Sequence, residues 1–349
     1  MSEHTHTNRT SRYEDGQFMN TIPTPQGLEK GHFWSTLYQW IFTRPGRPPT
    51  QPIPVHKLST LKVDDGRSHI TWMGHSTLLL EMDGQTVLMD PVFSNHASPF
   101  AWLPPKSFFP ELPITLDTVE HINIVVISHD HYDHLDMQSI KKLGPKVDHF
   151  VVPLGVGAHL QRWGVPEQKI IERDWWQETT LGPLTLTATP ARHFSGRSLT
   201  GGNQTLWASW AIRGQSENIF FSGDSGYFPG FKEIGDRLGP FDLTMLECGA
   251  YNPGWPNVHM FPEQTAQAHQ DLRGEALLPI HWGRFNLSLH TWNEPIERLK
   301  KAASLKDLQI ITPMIGQRFT LTEAYPTTSW WKHLQPIHHP QDHAHASVR

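Results

Sequence analysis

The sequence predicts an α/β protein in which two β-sheets stack between outer helices, a four-layer αββα sandwich. Short apolar segments bounded by turn residues recur from residue 68 to 320, as expected for buried strands. Segments with helical periodicity lie between some of these strands. A chain of 349 residues, of which 37% are hydrophobic, can bury a large core. We therefore expect one domain of this architecture over 68–325.

The expected elements follow the apolar pattern along the chain. The strands cover 70–72, 77–82, 86–89, 124–128, 150–152, 184–188, 206–212, 219–222, 243–246, 276–279 and 309–311. The helices are marked by residues that cap, open or stop a helix. We expect Asp136 to cap Met137–Leu143, Pro262 to open a helix over 263–273, and Asn293 to cap one that ends near Ala303.

The two ends of the chain differ in composition from this domain. Residues 1–30 are polar, so we expect a disordered N-terminal arm. Residues 31–67 combine an aromatic segment at 33–42 with a proline-rich linker that we expect to be extended. Residues 326–349 form a His-rich C-terminal tail, for which we prefer a solvated state to loose metal binding.

Composition also limits the partners and the compartment. A net charge of −5 argues against nucleic acid as the main partner. The single cysteine, Cys248, excludes an intramolecular disulfide, and residues 1–20 lack the order of a secretory signal. No apolar run approaches the ~18 residues that cross a bilayer. We expect a cytoplasmic protein and leave open both a peripheral contact with the inner face of the membrane and a homodimer.

The densest chemical signal is His129-Asp130-His131-Tyr132-Asp133-His134, which follows the apolar run 124–127. Imidazole nitrogens and carboxylate oxygens are the ligands that hold Zn²⁺ and related divalent ions. Read as H-x-H-x-D-H at the end of a buried strand, the motif provides ligands for two metal ions. A surface turn that is rich in histidine by chance is the alternative that this spacing disfavours.

Two ions need more ligands, and His193, Asp224 and His281 each lie just past an apolar strand. Distant segments converge in this way on one edge of a sheet sandwich. We predict two ligand sets that share a bridging Asp224, namely His129, His131 and His193 for one ion and Asp133, His134 and His281 for the other. We expect two Zn²⁺, although Fe or Mn would use the same ligands. Asp90 follows the strand 86–89 and is expected to orient a ligand histidine, although a purely structural Asp-Pro turn stays open.

These residues resemble the metallo-β-lactamase superfamily, whose signature is H-x-H-x-D-H followed by a later His, Asp and His. Over residues 68 to 290, the chain is also similar to the branch of phospholipases D that hydrolyse N-acylphosphatidylethanolamine. The segments that carry this similarity, besides the His-rich motif, are Trp72-Met73-Gly74-His75-Ser76-Thr77, Asp90-Pro91-Val92-Phe93-Ser94, Asp174-Trp175-Trp176, Ser222-Gly223-Asp224-Ser225-Gly226-Tyr227, Gly239-Pro240-Phe241-Asp242-Leu243, Gly249-Ala250-Tyr251 and Ile280-His281-Trp282-Gly283.

The resemblance implies a metallo-β-lactamase sandwich that cleaves N-acylphosphatidylethanolamine to N-acylethanolamine and phosphatidic acid by attack of a metal-bridging hydroxide. It implies that Asp133, Asp224 and His259 take part in catalysis, with His259 near the substrate phosphate as a donor of a proton or hydrogen bond. His75 is expected beside the ligands. A surface histidine that precedes a helix stays open as the alternative for His259. Phe261 departs from the family's His-x-Asp-Pro-Glu element, because it stands where an acid is expected.

Other functions stay open at this point. The same metal core in relatives hydrolyses lactones, thioesters or other phosphodiesters, and some relatives are di-iron redox proteins that carry a flavin domain, of which this sequence shows no sign. A phospholipid or other phosphodiester substrate is preferred. A lipid also needs an apolar approach, for which the segment 33–42 and the loop 99–109 with Trp102 are candidates. Both segments could equally pack onto the sandwich as a covering.

Overall fold

The computed structural model describes residues 10–26, 48–63, 65–100, 102–109, 111–197, 201–321 and 323–334. In chain order the strands are β1 Tyr13–Glu14, β2 Gln17–Phe18, β3 His69–Trp72, β4 Leu78–Met82, β5 Gln85–Met89, β6 Ile122–Val126, β7 Val147–Pro153, β8 Ile170–Arg173, β9 Glu178–Leu181, β10 Leu184–Thr189, β11 Ser209–Arg213, β12 Asn218–Phe221, β13 Phe241–Glu247, β14 Gly274–Ile280, β15 Gln309–Ile310 and β16 Arg318–Thr320. The α-helices are α1 Met137–Leu143, α2 Gly157–Arg162, α3 Gly230–Leu238, α4 Pro262–Asp271 and α5 Glu294–Ser304.

Two seven-stranded sheets form the centre of the fold. The first has the order β16-β3-β4-β5-β6-β7-β8 and the second β15-β14-β13-β12-β11-β10-β9, while β1 and β2 pair separately. Strands β5 to β8 run parallel to one another, and so do β12 to β15. With helices on the outside, this arrangement confirms the predicted αββα sandwich. Parallel neighbours bring their carboxyl ends to one edge of each sheet.

The strands of the first sheet bury both faces, because successive side chains point to opposite sides. Val126 packs in the core between the sheets, whereas Val125 packs in the outer core with Ile140 of α1 and Leu160 of α2. On the other side of the sandwich, α4 packs against β13 and β14. Because the faces are filled with apolar side chains, the polar residues of these strands are concentrated at their ends.

Several elements are not apparent in the apolar pattern, namely α2, α3, β8, β9 and β16. Helix α3 contains Gly235, where a Cβ would lie 2.2 Å from the carbonyl oxygen of Asp271. Glycine at this position allows the close approach of the two helices. Because glycine has a low helix propensity, it also weakens the helical signal in the sequence. Asp136 caps α1 as expected, since it accepts a hydrogen bond from the Gln138 amide at 3.2 Å. Asn293 precedes α5 but makes no side-chain capping bond, contrary to expectation.

The structure corrects the expectation of disorder for residues 10–26. They form the β1–β2 hairpin, and Phe18 is buried. A polar segment gains this order because the domain offers it hydrogen-bond partners. At the other end of the chain, Trp330 and Trp331 belong to the expected tail, yet both pack into the core. The aromatic segment 33–42 and residues 335–349 lie outside the described part of the chain.

Candidate metal centre

The polar residues that the sequence singles out meet at the edge where strands of both sheets end. His129 follows β6 and His193 follows β10, while Asp224 and His281 follow β12 and β14. The structure brings the seven predicted ligands, together with His75, into two groups of four, within each of which the ligand atoms lie within 4.8 Å of one another. The groups are His129, His131, His193 and Asp224, and His75, Asp133, His134 and His281.

In the first group, ring nitrogens face one another at short range. His129 Nε2 lies 2.8 Å from His131 Nδ1, which lies 3.3 Å from His193 Nε2. His193 Nδ1 donates to the Val258 carbonyl at 2.8 Å, so its neutral ring presents a lone pair at Nε2. Burial lowers the pKa of both His129 and His193 well below the usual value. The rings are therefore neutral, which is the form that binds metal.

Asp224 lies between the two groups. Its Oδ2 is 3.1 Å from Nε2 of both His134 and His281, and 3.8 Å and 3.7 Å from Nε2 of His129 and His193, respectively. One carboxylate therefore reaches histidines of both groups, as a bridging ligand must. Although burial alone would raise the pKa of Asp224, the rings of His134 and His281 in their charged form hold it well below its usual value. Binding of a metal ion would displace the protons of these rings, because the neutral imidazole is the form that binds metal.

Asp133 links the histidines of the second group. Its Oδ2 is 3.3 Å from His281 Nε2 and 3.4 Å from His134 Nε2. His75 Nε2 lies 2.9 Å from the same oxygen. His75 is thus adjacent to Asp133, as expected, but its nitrogen also belongs to the group that could hold an ion.

The donor set fits a metal ion. His134 Nδ1 lies 2.6 Å from Asp90 Oδ2, so a neutral His134 ring that donates there faces Asp224 Oδ2 with a lone pair. Two acceptors at such a distance repel each other unless a proton or a cation lies between them. Among the described residues, Asp224 Oδ1 and His134 Nε2 have no hydrogen-bond partner. A divalent cation would satisfy these buried atoms.

Asp90 fixes the ring of His134 from behind. The fully buried carboxylate also accepts hydrogen bonds from the amide and hydroxyl of Ser128, at 2.7 Å and 2.6 Å. Asp90, His75 and His281 all have positive φ angles, of 39°, 56° and 64°. Backbone in this region is strained for residues other than glycine and is concentrated at functional sites.

Glu247 is a site residue that the sequence interpretation missed. It is fully buried at the end of β13, and its Oε2 lies 2.8 Å from His259 Nδ1. Its Oε1 accepts hydrogen bonds from the amides of Met260 and Ser225. The ring of Phe261, where the sequence predicts an acid, packs against Tyr251 with 5.1 Å between the ring centroids. The signal that could have revealed Glu247 is its place directly after the apolar run 243–246.

A cavity of about 330 Å³ opens onto these side chains. The polar residues that line it are His131, Asp133, Asp224, His259 and His281. The apolar residues that line it are Phe194, Ala250, Trp255, Val258 and Leu287. A ligand in this cavity could therefore contact both the candidate metal centre and apolar side chains.

Comparisons with known proteins agree with this geometry. Residues 85–282 match the model of the beta-lactamase superfamily domain. The chain is 42% identical over 329 residues to an uncharacterized protein of Mycobacterium tuberculosis, covering 93% of this chain and 88% of that protein. It is 32% identical over 287 residues to N-acyl-phosphatidylethanolamine-hydrolyzing phospholipase D 1 of Caenorhabditis elegans, covering 76% and 79%. The solved structure of Igni18, a metallo hydrolase from Ignicoccus hospitalis, shares the fold with a TM-score of 0.57 at 21% identity, covering 74% of this chain and 99% of that chain.

We expect Asp224→Ala to retain about one divalent ion per chain where the unaltered protein retains about two, because the shared carboxylate is lost. Metal content after gel filtration, measured by plasma mass spectrometry, checks this. Asp236→Ala is the control, because that exposed carboxylate on α3 pairs with Lys232. Equal metal content in Asp224→Ala and the unaltered protein would show that Asp224 is not a shared ligand.

Proposed function

The chain belongs to the beta-lactamase superfamily of metal-dependent hydrolases, and we propose that it is a two-metal phosphodiesterase of the phospholipase D type that cleaves N-acylphosphatidylethanolamine. The observation that carries this proposal is the position of Asp224, one buried carboxylate within reach of histidines of two ligand groups. Such a paired centre suits an in-line displacement at phosphorus. The similarity to the C. elegans enzyme supports the lipid substrate.

The residues that would hold the two ions are those of the predicted sets, with Asp224 shared. Zn²⁺ suits their nitrogen and carboxylate donors, and Fe or Mn would use the same ligands. When bound, two such ions supply an activated water and offset the negative charge of a phosphodiester. The chain's own contribution is to hold the donors rigidly, through Asp90 behind His134 and the Val258 carbonyl behind His193.

In this proposal, His259 acts on the leaving group. Glu247 Oε2 lies 2.8 Å from His259 Nδ1, which favours the tautomer that donates from Nδ1. The ring borders the cavity and packs 5.2 Å from the rings of both His193 and His281. Its Nε2 is then the nitrogen left for the departing oxygen of a substrate. In the imidazolium form, which keeps the Nδ1–H on Glu247, Nε2–H can donate a hydrogen bond or its proton to that oxygen, leaving the neutral ring.

The apolar side chains that line the cavity support a substrate with hydrocarbon next to the phosphate. Phe194, Trp255 and Leu287 line the same 330 Å³ volume as the candidate ligands. Contact with these side chains would remove apolar surface from water and favour a lipid over a small polar diester. The same contacts would exclude bulk water from the reacting phosphate.

Hydrolysis of N-acylphosphatidylethanolamine in mixed micelles tests the proposal, with bis-p-nitrophenyl phosphate assayed in parallel on the same metal-analysed sample. We expect N-acylethanolamine and phosphatidic acid in equal amounts. Asp224→Ala should be at least about a hundredfold slower, as is usual when charge stabilisation is lost. Cleavage of bis-p-nitrophenyl phosphate alone would support phosphodiesterase activity and contradict the lipid substrate. Cleavage of neither substrate would contradict the proposed function.

A second prediction concerns the leaving group. We expect His259→Gln to slow cleavage of the lipid by about 10² or more, because alkoxide departs poorly without a proton. Release of p-nitrophenolate needs no proton, so the same variant should lose less than about tenfold on the aryl diester. His121→Gln, which changes an exposed histidine that pairs with Asp148, is the control. Equal losses on both substrates would remove His259 from this role.

We also propose that the loop 96–106 docks on the membrane. The bridge between His96 and Lys106 closes its base, and Phe100 and Trp102 are 56% and 74% exposed with stacked rings. Two neighbouring aromatic rings exposed at a loop tip suit the lipid–water interface. None of the helices in the described ranges is long and apolar enough to cross a membrane. Trp34 and Trp40, the other aromatic candidates, lie outside those ranges.

We expect Trp102→Ala to lower co-sedimentation with phospholipid vesicles by about tenfold, the effect of losing one buried apolar side chain. Leu305→Ala is the matched control, because Leu305 is 82% exposed and follows α5, far along the chain from this loop. Hydrolysis of bis-p-nitrophenyl phosphate should not change, since that substrate needs no vesicle. Unchanged sedimentation of Trp102→Ala would contradict docking through this loop.

A further inference from the structure

The residues before the matched superfamily segment contact one of the predicted metal ligands. That segment covers 85–282, and residues 10–26 precede it by a long stretch of chain. They nevertheless pack on the loop between β10 and β11, which carries His193. Residues outside the matched segment therefore contact the loop that carries a predicted metal ligand.

Asn20 makes the central contact. Its side-chain Nδ2 donates to the His193 carbonyl at 2.7 Å, and its Oδ1 accepts from the His193 amide at 3.1 Å. One primary amide thus satisfies both backbone groups of a residue that has left strand β10 and has no ladder partner there. These two hydrogen bonds fix both the orientation and the position of the His193 backbone.

The side chain of the same histidine is fixed from the other direction. His193 Nδ1 donates to the Val258 carbonyl, which leaves Nε2 toward His131 and Asp224. Asn20 therefore sets where the His193 backbone sits, and Val258 sets how its ring is turned. Neither contact alone determines the position of Nε2.

The segment that carries Asn20 is itself anchored through residues that precede Asn20. The amides of Thr10 and Ser11 donate to the carboxylate of Asp174, at 2.8 Å and 3.2 Å. The amide of buried Phe18 donates to the Asn203 carbonyl at 2.7 Å. These contacts keep the Asn20 side chain at the His193 loop and restrict the conformations open to it.

A further contact holds the residue next to His193. Arg192 Nε donates to Thr24 Oγ1 at 3.1 Å, and its guanidinium also reaches the Pro23 carbonyl. Residues 23 and 24 thus form hydrogen bonds with Arg192, the residue before His193, while Asn20 forms hydrogen bonds with His193 itself. The segment 10–26 therefore acts on the beginning of the loop at two adjacent residues.

We propose that Asn20 is a positioning residue for the metal centre, holding His193 where its Nε2 can bind an ion. The expected consequence is a tighter complex with that ion, because partners behind a ligand typically change metal affinity by about 10–100-fold. The inference concerns metal binding and does not depend on which substrate the site takes.

Competition of the full-length protein with a chromogenic chelator for Zn²⁺ tests this inference. We expect Asn20→Ala to weaken binding of one of two ions by about 10–100-fold. Asn20→Asp keeps the side-chain volume and one acceptor but places a second acceptor against the His193 carbonyl, so it should also weaken that ion. Gln17→Ala is the control, because it removes a single exposed hydrogen bond to the Gly202 carbonyl from the same segment.

Two further readouts separate positioning from loss of fold. The melting temperature of the metal-free Asn20→Asp protein should stay close to that of the unaltered protein, and its turnover should recover when free Zn²⁺ is raised. Unchanged Zn²⁺ affinity in both Asn20 variants would overturn the inference. An equal loss in Gln17→Ala would overturn it as well, because the effect would then belong to the segment and not to Asn20.

Discussion

The buried carboxylate of Asp90 is the interaction on which the metal centre depends most. It follows β5 and contacts Ser128, which directly precedes the His-rich motif, and His134, the last residue of that motif. A buried carboxylate is costly unless hydrogen bonds satisfy it, and Asp90 has three such partners. Burial raises the pKa of Asp90, while the bonds to His134 and Ser128 act against that rise. Without Asp90, the motif would lose the group that ties it to the neighbouring strand.

Glu247 plays the corresponding part for the second sheet. It ends β13 as Asp90 follows β5, and both lie in the parallel part of their sheets. Asp90 contacts a predicted ligand, whereas Glu247 contacts His259 and accepts hydrogen bonds from the amides of Ser225 and Met260, which follow Asp224 and His259 in the chain. Each sheet thus contributes one buried acid. The hydrogen bonds of that acid hold loop residues of the site in fixed positions. The centre lies at the junction of two rigid sheets for this reason.

The sequence reveals those parts of the site that have a periodic or compositional signal. An apolar run followed by His or Asp identified His129, Asp224 and His281, because a buried strand must end before a polar residue can face a site. Glu247 has the same signal but is the last residue of its strand, and a single acid next to Cys248 does not stand out in composition. Asn20 has no signal, since its role depends on a pairing with His193 across 173 positions of sequence. Long-range hydrogen bonds of this kind cannot be derived from local pattern.

The charges around the cavity link substrate binding to metal binding. Among the described residues that line it, none is a lysine or arginine, while Asp133 and Asp224 bring two carboxylates. An anionic phosphodiester would be repelled by such a wall unless divalent cations reversed its charge. Substrate and ions must then strengthen each other's binding by the same factor, because coupling between two ligands is reciprocal. By holding His193 for an ion, Asn20 would therefore also raise the affinity for an anionic substrate that it does not touch.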